Sequence, residues 1–161
     1  MGKSFLTKDH KLKAQASGTG GPLFAGACIS KVLPSQIVIC SRNGSVYSFE
    51  MEKGDLLWEY NVGDPVTASA YVDEHLELIS DSSHFLQRLV CVCGSSGSIH
   101  LLRVTVNVVA EANQPSKYMV HEFASTKLAG DIFSSPVMIG GKVFVGCRDD
   151  YLHCIAVDPG S

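Results

Sequence analysis

The sequence lacks any hydrophobic run of about 18 residues, the length at which a segment becomes a candidate membrane-spanning helix. Its N-terminal residues also lack the apolar stretch of a secretory signal peptide. Charged side chains make up only 18% of the 161 residues, and the net charge of −3 at pH 7 provides no basic field for nucleic acid. We therefore expect a cytoplasmic chain that binds neither membranes nor nucleic acid.

Sequence motifs for nucleotide binding and for common catalytic mechanisms are also absent. The glycine-rich segment 17–21 is not followed by the Lys-Ser/Thr pair of a phosphate-binding loop, and Ser134-Ser135 is not part of a G-x-S-x-G nucleophile elbow. The six histidines show neither H-E-x-x-H spacing nor the spacing of a facial triad. We therefore predict that this chain contains no catalytic and no cofactor-binding residues.

The six cysteines have neither the C-x-x-C pattern nor the paired Cys/His spacing of a zinc site. All of them lie in strand-like segments, and Cys91 and Cys93 share one face of their strand. Because free cysteine packs as a small hydrophobic residue, we predict reduced structural thiols and no metal site. The six are Cys28, Cys40, Cys91, Cys93, Cys147 and Cys154.

A cluster of carboxylates offers oxygen ligands for Ca²⁺ as an alternative metal site. Its members are Asp73, Glu74, Glu77 and Asp81. Their spacing does not fit a known calcium loop, so we predict instead a solvated loop between two repeat units.

A hairpin signature occurs three times at a fixed interval, in 37–49, 90–102 and 143–155. Its turns fall at Gly44, Gly97 and Asp150, and each is separated from the next by 53 residues. A period of this size indicates a propeller or another repeat architecture. At Asn43-Gly44 we predict a type I′ turn with positive φ at both residues.

A glycine-led segment rich in small residues precedes each hairpin, in 21–29, 63–71 and 130–138. Small residues suit the innermost strand of a propeller blade, where neighbouring blades converge. We therefore predict an all-β, partial β-propeller of about three four-stranded blades, with units at about 21–62, 63–129 and 130–161. Residues 1–20 are predicted to be a polar, disordered leader.

The segment Ser48–Trp58 resembles the tryptophan-docking repeat of quinoprotein β-propellers, whose cofactor is pyrroloquinoline quinone (PQQ). This PQQ-like resemblance implies that Gly54 occupies a turn and that Trp58 wedges between two blades. His100 and His153 occupy the repeat position of Tyr47, so we predict one shared structural role for the three rings.

Residues 21–158 also resemble the C-terminal propeller of β-alanine-activating enzymes, a branch of the acyl-CoA synthetases also described as 2-aminoadipic 6-semialdehyde dehydrogenases. Three segments carry the resemblance: Cys40–Phe49, Leu56–Val66 and Gly146–Cys154. It implies use of ATP and of phosphopantetheine in other domains, for which this chain is too short. We therefore expect no cofactor in this chain.

These observations predict an interaction or regulatory module of an acyl-adenylate-forming ligase. Such a module would bind missing propeller blades, another protein chain or a second copy of itself. One alternative is a free-standing scaffold of the WD-repeat kind, although the Gly-His and Trp-Asp dipeptides of that family are absent. A quinone-linked oxidoreductase fragment is the other alternative, but the adjacent Cys-Cys pair of those enzymes is missing.

Overall fold

The structure is a computed structural model, which describes residues 21–31, 35–76, 78, 84–107 and 117–158. The predicted leader 1–20 lies outside the described residues. Eleven strands in three antiparallel sheets account for the regular structure of the described part. No helix long and apolar enough to cross a membrane occurs in it.

Each sheet is a meander in which every strand pairs with its neighbours in the chain. We call the three sheets blades 1, 2 and 3. Blade 1 contains β1 (Cys28–Ser30), β2 (Gln36–Cys40), β3 (Ser45–Glu50) and β4 (Leu56–Asn61). Blade 2 contains β5 (Tyr71–Val72), β6 (Phe85–Cys93), β7 (Ser98–Asn107) and β8 (Tyr118–Lys127). Blade 3 contains β9 (Val137–Ile139), β10 (Lys142–Gly146) and β11 (Leu152–Ala156).

The inner strands β6 and β7 of blade 2 are buried on both faces, whereas β8 is mostly exposed. Alternate residues of a strand point to opposite sides of the sheet, so neighbouring residues pack into different clusters. In β6, Val90 and Val92 pack into an apolar cluster shared with blade 1. Cys91 and Cys93 pack into a second cluster shared with blade 3. The two clusters form the core and lie between consecutive blades rather than inside one sheet.

The predicted type I′ turn at Asn43-Gly44 is wrong. Among the described residues other than glycine, only Asp150 has a positive φ, so Asn43 does not adopt the required conformation. The Gly44 amide instead donates to the Ser41 carbonyl at 3.0 Å, and the Ser41 amide donates to the Ser45 carbonyl at 2.8 Å. This pattern is a type I turn followed by a bulge, which requires positive φ only at Gly44.

The same bulge position is used in all three hairpins. The φ angles are 89° at Gly44, 94° at Gly97 and 70° at Asp150. Their 53-residue spacing therefore reflects one repeated backbone conformation.

Asp73 does not lie in a solvated loop, so this part of the prediction is wrong. Its side chain is completely buried, and one carboxylate oxygen accepts the amides of His75 and Leu76 at 2.9 and 3.1 Å. The other oxygen accepts the Gly141 amide, in the β9–β10 turn of blade 3, at 3.0 Å. The carboxylate thus links blade 2 to blade 3 and needs no cation to satisfy it. Glu74 is exposed, whereas Glu77 and Asp81 lie outside the described residues.

Substitutions at the bulge positions test this hairpin geometry. We expect Gly44→Val to lower the free energy of unfolding by at least about 1–3 kcal/mol through backbone strain. A Cβ at Gly44 would also lie 2.9 Å from the Asp64 carbonyl oxygen. Asp150→Gly should be neutral or stabilise by up to about 1 kcal/mol, because glycine adopts positive φ without steric cost. Equal losses for both variants in urea unfolding would contradict this register.

Candidate functional site

Trp58 is part of the interface between blades 1 and 2. Its side chain is only 6% exposed and belongs to the apolar cluster shared by the two blades. The indole Nε1 donates to the buried Gln36 Oε1 at 3.1 Å, so its polar atom is satisfied. Gly54, earlier in the same repeat, has a φ of 75° and closes the turn before β4 by donating to the Glu50 carbonyl at 3.0 Å.

The position equivalent to Trp58 in blade 2 is Ala124. Ser48 pairs with Trp58 and Leu101 pairs with Ala124, and both strand pairs shift register directly after that pairing. The repeat therefore provides a tryptophan between blades 1 and 2, but only a methyl group at the same point between blades 2 and 3.

A cleft of about 200 Å³ lies beside Ala124, between blades 2 and 3. Val143, Ile155 and Val157 of the blade 3 side line it. The equivalent positions of blade 2 are Val90, Leu102 and Val104, which share a cluster with Trp58. The cleft thus corresponds to the site that Trp58 occupies in blade 1, and the aromatic side chain that lines it is Phe123, the residue before Ala124.

The outward face of blade 3 exposes apolar residues that the other blades bury. Val38, Cys91 and Phe144 occupy equivalent positions and are 0%, 0% and 36% exposed. Val46, Ile99 and Leu152 occupy a second equivalent set and are 0%, 2% and 74% exposed. The open face of blade 3, as we call it, has these apolar members: Val137, Ile139, Phe144 and Leu152.

The six cysteines are all free, but they differ in environment. Burial raises the pKa of the Cys40 thiol to about 12. A hydrogen bond with Cys93, together with burial, raises the pKa of Cys91 well above its usual value. The prediction of packed thiols is wrong for Cys154, which is exposed because it lies on the open face of blade 3.

Tyr47, His100 and His153 occupy the same register of the three hairpins, opposite Ile39, Val92 and Val145. Their contacts differ. Tyr47 is buried, whereas His100 bonds to Glu122 Oε2 of β8 at 2.7 Å through Nδ1. His153 Nε2 bonds instead to Asp149 Oδ2, in its own turn, at 2.8 Å.

The third hairpin also brings three metal-ligating side chains together. Donor atoms of Cys147, Asp149 and His153 all lie within 4.8 Å of one another. Partial desolvation acts to raise the pKa of Asp149, but hydrogen bonds from His153, Cys147 and the Tyr151 amide hold it below its usual value. The sequence signal is Cys-x-Asp-x-x-x-His. A search for Cys/His pairs alone does not find it, because the middle ligand is a carboxylate.

A second, wider cleft of about 580 Å³ opens where the hairpin turns meet the connections between blades. Phe24 and Phe133 line it and are 61% and 52% exposed. The Arg42 guanidinium lies 5.8 Å from the centre of the Phe24 ring, and Arg148 lies at the same distance from Phe133. Two arginine–aromatic contacts therefore lie beside this cleft.

Structural comparison supports the architecture. BamB from Moraxella catarrhalis superposes with a TM-score of 0.55 at 14% identity, covering 89% of this chain and 35% of BamB. The WD40 domain of SCAP from fission yeast also gives a TM-score of 0.55, at 10% identity, covering 76% of this chain and 28% of that domain. The fold is a partial β-propeller. At these identities the likeness concerns the fold alone.

Sequence comparison finds similarity to β-alanine-activating enzymes, while no family model matches the chain. The zebrafish (Danio rerio) enzyme is 31% identical over 123 residues, which are 76% of this chain and 9% of that enzyme. The human (Homo sapiens) enzyme is 27% identical over 120 residues, which are 74% of this chain and 9% of that enzyme. The similar region is therefore a small part of each enzyme.

A tryptophan at position 124 tests whether the cleft between blades 2 and 3 is equivalent to the site that Trp58 fills between blades 1 and 2. We expect Ala124→Trp to raise the free energy of unfolding by about 0.5–2 kcal/mol, because the indole fills an apolar cleft. Trp58→Ala should lower it by about 3–5 kcal/mol. Ala124→Glu is the matched control at the same exposed position and should not stabilise. A destabilised Ala124→Trp protein would contradict the equivalence.

Proposed function

We propose that this chain is a β-propeller interaction module related to part of the β-alanine-activating enzymes. Its binding surface is the open face of blade 3, and its partner is a further β-sheet blade. The module acts in the cytoplasm and serves an acyl-adenylate-forming enzyme whose ATP and phosphopantetheine chemistry resides in other domains. Similarity to the zebrafish and human enzymes supports this relationship.

The exposure of Phe144 and Leu152 is the observation that carries the proposal. The same repeat positions are buried twice within the chain, each time against the following blade. A face that packs against a blade in two of three repeats has the shape and chemistry to do so in the third. Contiguous exposed apolar surface of this kind marks an interaction site in a folded protein.

The blade architecture favours a β-sheet partner over a small apolar ligand. Val137, Phe144 and Cys154 pair across β9, β10 and β11, so they form one row along the sheet surface. Sheets that pack face to face place such rows against each other over a large area. A sheet from another chain covers this whole row, whereas a small ligand fits a concave pocket instead.

A free-standing scaffold of the WD-repeat kind would use the same open face, and the likeness to the SCAP WD40 domain supports its fold only.

The quinone-linked alternative receives less support. Cys91 and Cys93 are separated by one residue, and both lie in the core between blades 2 and 3. Buried thiols of this kind do not meet a cofactor in either cleft.

Polar substitutions on the open face test the proposal. We expect the purified chain to self-associate with increasing concentration and to bind an apolar dye, because the face is uncovered. Sedimentation velocity should show that the Phe144→Asp/Leu152→Asp double variant shifts toward monomer and loses most dye binding. Met119→Asp is the matched control, since Met119 is 48% exposed but lies on β8. Its behaviour should equal that of the wild type.

One result for the wild-type chain would contradict the proposed binding surface. A wild-type monomer that unfolds cooperatively and binds no apolar dye would show that the open face needs no partner. Circular dichroism would reveal any loss of folding in the double variant. In that case the single variant Leu152→Asp takes the place of the double variant. Leu152 is 74% exposed, so its substitution disturbs little packing.

A further inference from the structure

We propose that the β10–β11 hairpin is a zinc-binding site whose ligands are Cys147, Asp149 and His153. Their sulfur, oxygen and nitrogen donors converge within 4.8 Å, although no two of them are adjacent in the chain. The site lies at the turn of blade 3 and is separate from the residues of the open face.

The donor set suits zinc better than the other common divalent cations. Zn²⁺ accepts thiolate, imidazole and carboxylate ligands in tetrahedral geometry, whereas Mg²⁺ and Ca²⁺ prefer oxygen donors only. Three protein ligands leave the fourth tetrahedral position for water or for a group from another molecule. Binding requires a Cys147 thiolate and a neutral His153, so it releases the thiol proton.

The hairpin backbone holds the three ligands in place before any metal binds. The Cys147 amide donates to the Tyr151 carbonyl at 3.0 Å, which closes the turn. Asp149 accepts the Tyr151 amide through Oδ1 at 3.2 Å, so its Oδ2 points toward His153 Nε2 at 2.8 Å. Pairing with Val145 fixes the position of His153 on β11. Zinc therefore needs only to replace the hydrogen bonds that Asp149 makes with His153 and Cys147.

Comparison with the other two hairpins indicates that the turn itself does not require these side chains. The equivalent positions hold Ser41, Asn43 and Tyr47 in blade 1 and Gly94, Ser96 and His100 in blade 2. All three hairpins share the positive φ at the bulge, and neither of the other two combines a thiol, a carboxylate and an imidazole.

The nearby arginine does not compete with a cation for these ligands. The Arg148 guanidinium lies 4.0 Å from the Asp131 carboxylate and stacks near the Phe133 ring, at 5.8 Å from its centre. Its guanidinium is therefore directed toward Asp131 and Phe133.

Titration with Zn²⁺ and with Co²⁺ as a spectroscopic probe tests the site. We expect one equivalent of Zn²⁺ per chain by calorimetry, and tetrahedral d–d bands with a thiolate-to-cobalt charge-transfer band for Co²⁺. Cys147→Ser and His153→Ala should each weaken zinc binding by more than the about 10–100-fold that outer-shell partners contribute. Cys147→Ser should also abolish the charge-transfer band. Mg²⁺ and Ca²⁺ should not compete.

Matched controls use a cysteine and a histidine outside the cluster. Cys154→Ser removes an exposed thiol of the same hairpin, and His121→Ala removes an exposed imidazole of β8; neither should change zinc affinity. Zinc should also protect Cys147, but not Cys154, from alkylation as read by mass spectrometry. Unchanged affinity in the Cys147→Ser/His153→Ala double variant, or no zinc binding by the folded wild type, would overturn the proposal.

Discussion

Coverage of two apolar faces per sheet is the constraint on which the structure depends. Each blade is a sheet of three or four strands with alternating side chains, and a blade cannot bury its two faces without a neighbouring blade on each side. Blade 2 solves the problem with a neighbour on either side, which places Val90 and Cys91 in two different cores. The turns, the tryptophan and the buried aspartate all serve to hold one blade against the next.

The periodic part of this arrangement could be predicted from the sequence. The 53-residue spacing of Gly44, Gly97 and Asp150 located the hairpins because each turn demands one residue with positive φ. The turn type at Asn43 could not be predicted reliably, since Asn-Gly is compatible with two turns and the hydrogen bond to Ser41 decides between them.

Contacts between repeats were harder to predict because they join distant parts of the chain. The sequence predicts that Asp73 is a carboxylate of a solvated loop. Its burial is explained by the hydrogen bond from the Gly141 amide, which is distant in the chain. The cluster in the third hairpin had a local signal, since Cys147, Asp149 and His153 lie within seven residues. It was missed because a mixed ligand set has no fixed spacing, and the bulge at Asp150 brings the side chains together.

Because Trp58 of blade 1 corresponds to Ala124 of blade 2, the interface between blades 1 and 2 is more stable than the interface between blades 2 and 3. In a repeat protein the total stability is approximately a sum over nearest-neighbour interfaces, so the weakest interface opens first. An indole fills the interface between blades 1 and 2, whereas a cleft of about 200 Å³ remains between blades 2 and 3. Amide hydrogen exchange should therefore be fastest in β9, β10 and β11 and slowest in the strands that contact Trp58, because blade 3 detaches in a sub-global opening while the first two blades stay folded.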